Sequence, residues 1–273
     1  MNNNTINISN KISESELFRK YKSSNKVAFY DLLIHIFHYY IAYILLCYFK
    51  NHFFSLFLDI FLVLLHVKSF VIFHDCGHYS YFPNKTINYI VGSISGIIVL
   101  TPFCWNYDHV NHHLTNGNFE NKLNHTFNEI ILLDIERYKK SKYITRILYK
   151  IIKNPFFMLT ILSPFGFAII HRFSIFIRKL NNDKKYTESL TIILIDTLFN
   201  NFGIAVLIYA LNKDKLLFHY FIVNLLFSSI AIFLFNAEHT FNPAYIVNDK
   251  NWNIKDSGIK GSSFIIVPTY LKK

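Results

Sequence analysis

Four stretches of this sequence, 28–49, 53–73, 190–211 and 216–235, are almost continuously apolar. Each is about as long as the roughly 20 residues that an α-helix needs to cross a hydrocarbon layer of about 30 Å. Lipid offers no hydrogen bonds, so a backbone crossing it must satisfy its own amides, as a helix or as a closed barrel. The length and unbroken apolarity of these runs select helix. The expected fold class is therefore all-α, a multi-pass membrane protein with four transmembrane helices. Only 16% of the residues are charged, whereas 52% are hydrophobic, against roughly 25% charged in soluble domains. The 50–52 and 212–215 intervals are too short for anything but tight turns, so the four spans form two antiparallel hairpins. Asp59 and Lys68 inside the second run are costly in lipid and should face protein or snorkel.

Parity then governs the remaining segments. His74 and His78 lie just beyond the second span, one helical turn apart and on one helix face. His109, His112 and His113 repeat the device at i, i+3 and i+4. Neutral imidazole suits iron, zinc and copper, and five histidines exceed what one zinc takes, so a pair of metals is expected. The two clusters can share metals only on one membrane face. The apolar run 87–104, with Gly92 and Gly96 spaced for close helix packing, is therefore expected to be interfacial, re-entrant or buried. The stretch 155–177 is expected as two proline-broken amphipathic pieces in the interface. The last hairpin returns His239 to the same face. The other histidines (His35, His38, His52, His66, His125, His171 and His219) read as packed or interfacial.

The net charge of +11 concentrates in the N-terminal tail, the middle segment around Lys139, Lys140, Lys142, Arg146 and Lys150, and the C-terminus. By the positive-inside bias both termini and the histidines are expected in the cytosol. Residues 1–27 read as a flexible cytosolic tail and 28–273 as one membrane domain. Nucleic acid does not account for the charge, because the basic residues flank apolar runs and no recognition motif is present. Cys47, Cys76 and Cys104 have no framework spacing and read as reduced thiols.

The residues from about 70 onward resemble the membrane fatty-acid desaturases, most of all their acyl-lipid branch. His74-Asp75-Cys76-Gly77-His78 matches the first histidine box and Asp108 to His113 the second, followed by the polar turn Thr115-Asn116-Gly117-Asn118. Glu238-His239-Thr240-Phe241, Asn251-Trp252, Gly261-Ser262-Ser263-Phe264, Pro268 and Leu271 resemble the segments that follow. The resemblance implies a di-iron centre that uses O2 to place a double bond in an acyl chain of a lipid or acyl-CoA. It implies a separate electron donor such as ferredoxin or cytochrome b5. It makes His74, His78, His109, His112, His113 and His239 the metal ligands, about three for each metal, with Asp75 and Asp108 orienting them. The family's third box, HxxHH, would follow the segment matching 261–271, and the sequence ends at Lys273 before it. A fragment and a shortened relative with altered activity both stay open. A related di-iron hydroxylase and a non-catalytic lipid- or partner-binding relative are the alternatives.

Overall fold

The computed structural model describes residues 22–118, 133, 135–180, 189–239, 243, 245–247 and 249–263. Most of the N-terminal tail, His125, Thr240, Phe241, Phe264, Pro268 and Leu271 lie outside the described residues. Two long helices open the chain, α1 (Asn25–Phe49) and α2 (Ser55–Gly77). Two more close the bundle, α8 (Leu190–Lys213) and α9 (Leu217–His239). All four are 23 to 25 residues long, enough for roughly 34–38 Å. Their outward side chains are apolar: Tyr30 is 69% exposed, Phe37 60% and Phe202 71%, a surface that suits lipid and not water.

The hairpins lock together at the end remote from the clustered histidines. His219 Nδ1 lies 2.9 Å from Asp59 Oδ2, and both side chains are buried. His219 Nε2 lies 3.1 Å from Lys50 O in the first turn. Lys50 Nζ in turn donates to Asp214 O in the second, and Tyr43 Oη donates to the Asp214 carboxylate. Lys68 pairs with Asp31 of α1 at 2.6 Å. Both charges within the second span therefore face protein partners.

Helix α3 (Lys85–Ile98) is capped by Asn84, whose side chain accepts from Thr86 N and Ile87 N. It has 14 residues, roughly 21 Å, too short to cross alone. The chain then doubles back over its glycine face. A Cβ on Gly92 would fall 2.1 Å from the Phe103 ring, and one on Gly96 would fall 2.4 Å from Thr101 O. The doubled-back loop is clipped by Arg172, which donates to Leu100 O at 3.1 Å, to Ala168 O at 3.0 Å and to Asn200 Oδ1. Helix α4 (Trp105–Thr115) follows, then the short α5 (Ile135–Lys140) and the amphipathic α6 (Tyr143–Ile152).

The segment expected as two broken pieces is one helix. α7 spans 155–180 as Pro155–Phe157, Met158–Leu162, Ser163–Phe165, Gly166–Ile170 and His171–Leu180, the second and fourth stretches being π-helical. Asn154 caps its start and accepts from Phe156 N and Phe157 N, with Pro155 in the first turn, the position that needs no amide proton. Pro164 does not break it. A wider π turn precedes the proline and another follows, and such turns absorb a missing donor without ending the helix. Among the described residues, five helices are thus long and apolar enough to cross a membrane. α7 packs on α9. Leu159 O accepts from Ser229 Oγ, and the Phe167 ring lies 5.1 Å from Phe227.

Gly96→Ala should destabilise the fold by about 1–3 kcal/mol, because the new Cβ meets backbone that cannot yield. Gly258, with nothing within 4 Å of its virtual Cβ, is the control. The thermal unfolding midpoint in detergent should fall for Gly96→Ala and stay the same or rise for Gly258→Ala, which sits in the helix Ile254–Lys260.

Candidate metal centre

Helix α2 ends on its histidine turn. His74 is in its last turn, and His78, which donates its backbone N–H to His74 O, caps it. Helix α4 comes close enough to answer it because residue 77 is glycine. A Cβ there would lie 1.8 Å from Asn106 Oδ1. The two helices thereby bring His74, His78, His109 and His113 together, each with a ligand nitrogen within 4.8 Å of the others. His109 Nε2 and His113 Nε2 are 3.0 Å apart. His109 is buried, His74 half-buried, and His78 and His113 open to the surface.

His112 takes the other side of α4. Its Nε2 lies 3.2 Å from Nε2 of His239, the last residue of α9. Of the six histidines named from the sequence, four thus form one group and His112 and His239 a pair. The His109 and His112 ring centroids are 6.2 Å apart, so the groups adjoin.

The surroundings keep His78, His109, His112 and His113 uncharged. Burial, then the neighbouring imidazoles, drives His109 far below the usual histidine range. The same causes push His112 down to about 3 and His113 down to about 4. Burial also lowers His78. Uncharged imidazole is the ligating form, so at neutral pH no proton competes strongly for these nitrogens. His74 Nδ1 donates to Asp75 Oδ1 at 2.9 Å, a contact that turns Nε2 toward the group. Asp108 is buried and accepts from Ser174 Oγ of α7 at 3.3 Å.

The sequence reading passed over three features. Trp105 stacks on His109, with centroids 4.6 Å apart and planes at 15°, and fixes that ring's plane. His171, read as a packed histidine, is buried beside Trp105 and lines a cavity of about 310 Å³. That cavity is walled by Phe70, Phe167, Phe227 and Phe235, and it ends at His74, His109, His113 and His239. The Asn116 amide nitrogen lies 3.2 Å from His239 Nδ1. No spacing rule points to Trp105 or His171, because each acts across elements. An apolar slot closed at one end by imidazoles can hold a hydrocarbon segment against a metal site while excluding water. All three cysteines are free.

In the metal-free protein, His112 stays neutral in the fold down to about pH 3, whereas the unfolded chain takes up its proton near pH 6.5. Its contribution is therefore complete above about pH 6.5 and is lost as the pH falls toward the folded value. In chelator, the unfolding midpoint should drop between about pH 7.5 and pH 5, and the drop should be smaller in His112→Gln.

Comparison with known proteins agrees with this geometry. Residues 51–260 match the family model described as fatty acid desaturase. A fatty acid desaturase of Bacillus subtilis is 30% identical over 210 residues, covering 75% of this chain and 56% of that protein. The sn-1 oleoyl-lipid 12-desaturase of Synechocystis is 31% identical over 104 residues, 38% of this chain and 28% of that protein. An sn-1 acyl-lipid omega-3 desaturase (ferredoxin) of Nostoc is 40% identical over 53 residues, 19% of this chain and 15% of that protein. The chain thus spans about half the length of the Bacillus protein and less of the others.

Proposed function

The chain belongs to the fatty acid desaturase family, and on that premise we propose that it removes two hydrogens from a CH2–CH2 pair of an acyl chain, with O2, at two irons. The observation that carries the reading is that His74, His109 and His113 of the four-histidine group line one apolar cavity together with His239. The donor set fits iron, since it consists of clustered, uncharged imidazoles. His74, His78, His109 and His113 would hold one ion, and His112 and His239 would contribute to a second. The irons, when bound, supply the oxidising chemistry that unactivated C–H bonds require and that side chains cannot provide.

The protein's own part is positioning. Asp75 fixes the tautomer and direction of His74, and Trp105 holds the plane of His109. Asp108, through Ser174, ties α4 to α7 behind the ligands. Phe70, Phe167 and Phe227 keep water away and confine the methylenes. The substrate is an acyl lipid or acyl-CoA; the cyanobacterial relatives are named for acyl-lipid substrates. Electrons come from a separate carrier, ferredoxin or cytochrome b5. The basic face of α5 and α6, with Lys139, Lys140, Lys142, Arg146 and Lys150, suits an acidic partner.

We read the topology as four crossings, α1, α2, α8 and α9. The meeting of His112 with His239 supports this reading, since two crossings by α8 and α9 bring His239 to the face of His112 only if the chain between α4 and α8 stays on that face. The positive-inside bias favours the cytosol for both termini and the histidines.

Expression in a host lacking the activity should give an unsaturated fatty acid detected by mass spectrometry, absent in His109→Ala. A hydroxylated product would instead identify a hydroxylase, and no product would favour a non-catalytic relative. Iron in the purified protein should be near two per chain and fall toward one in His239→Ala, because that substitution spares the four-histidine group.

A further inference from the structure

We infer that residues 245–247 and 249–263 are a positioning strap that holds His239 in ligating orientation through Gly261 O, which the Asn116 amide fixes in place, an inference that rests on the two-metal reading above. His74, His78, His109 and His113 are carried by two helices packed directly on each other. The pair of His112 and His239 joins helices far apart in the chain, and something must hold their ends in register. The strap is fastened at both. Val247 N donates to Gly117 O at 2.9 Å beyond α4. Ser263 N and Oγ donate to Glu238 O and Ala237 O, each at 2.8 Å, at the end of α9. Between these points, Trp252 Nε1 and Ser257 Oγ both donate to Asn116 O, at 2.9 and 2.7 Å.

The Asn116 side chain sits where the strap meets the ligand. Its Nδ2 lies 3.2 Å from Gly261 O and 3.2 Å from His239 Nδ1. Gly261 O lies 3.3 Å from the same Nδ1. His239 Nδ1 therefore has a donor and an acceptor at hand. Unprotonated, it accepts from Asn116. Protonated, as it must be for Nε2 to bind a metal, it donates to Gly261 O. Two glycines mark the closure. Gly117 has φ +76°, and its Cβ would lie 2.3 Å from Tyr245 O. A Cβ on Gly261 would lie 2.3 Å from Ser257 O and 3.0 Å from the Asn116 amide.

The test is a Co2+ titration of the full chain in detergent, followed by the metal's visible absorption, with Trp252→Phe/Ser257→Ala compared with wild type. Neither substitution touches a histidine. Wild type should bind two Co2+. His239→Ala identifies which binding event depends on the pair, and the strap variant should weaken that event about 10–100-fold, the usual effect of losing an outer-shell partner. The other event should be unchanged, which shows that the fold survives. Asn116→Ala should reproduce the selective loss. A strap variant that binds both ions like wild type, or loses both equally, overturns the strap. A wild type that binds a single Co2+ overturns the two-metal reading and the inference with it, before any variant is made.

Discussion

A histidine at 74, others at 109, 112 and 113 and a last one at 239 can share a site only if the chain returns to one face before each of them. Lipid makes this constraint severe, because backbone cannot wander through hydrocarbon and must cross it whole as helix. The rest of the architecture answers to it. Helix α3 is too short to cross, and its glycine face lets the chain double back over it to deliver α4. The hairpin of α8 and α9 spends two helices to bring one imidazole home. The remote lock of Asp59, His219, Lys50 and Asp214 keeps the two hairpins from sliding, and sliding there would shift His239 against His112. A buried hydrogen bond contributes only about 1 kcal/mol net, so its use here lies in register.

The burial that builds the centre also opposes it. Clustered imidazoles under partial burial resist protonation, and the fold forgoes the charge–solvent interactions that they would otherwise have. What it gains is a set of lone pairs free at neutral pH, held by stacking on Trp105 and by Asp75. The apolar cavity follows from the same packing. The phenylalanines that shield the histidines from water leave a slot where a hydrocarbon is better solvated than water would be.

Helix-period arguments work within an element and fail between elements. The pairs His74 with His78 and His109 with His113 are visible from spacing alone, because one helical turn fixes them. The division into four and two is not, since it depends on how α4 is rotated against α2, and that rotation is decided by the contact of Gly77 with Asn106. The need of Lys68 for a partner is legible in its placement within an apolar run, but its choice of Asp31 is not. Pro164 misleads for a definite reason. It breaks an α-helix by removing an i→i−4 bond, and flanking π turns change which bond is needed. The contact of Trp252 with Asn116, 136 residues apart, has no local signature at all.

The division of the centre also has a meaning in time. The four-histidine group is encoded completely once residue 113 has been made, while the second pair waits for residue 239. His112 and His239 are 127 residues apart, roughly 6–25 s of synthesis at about 5–20 residues per second. During that interval the nascent chain already contains all four residues of the first group and lacks His239. On the two-metal reading, an ion would meet the first site alone, which would make metal selection there a problem of biogenesis, separate from the selectivity of the finished protein.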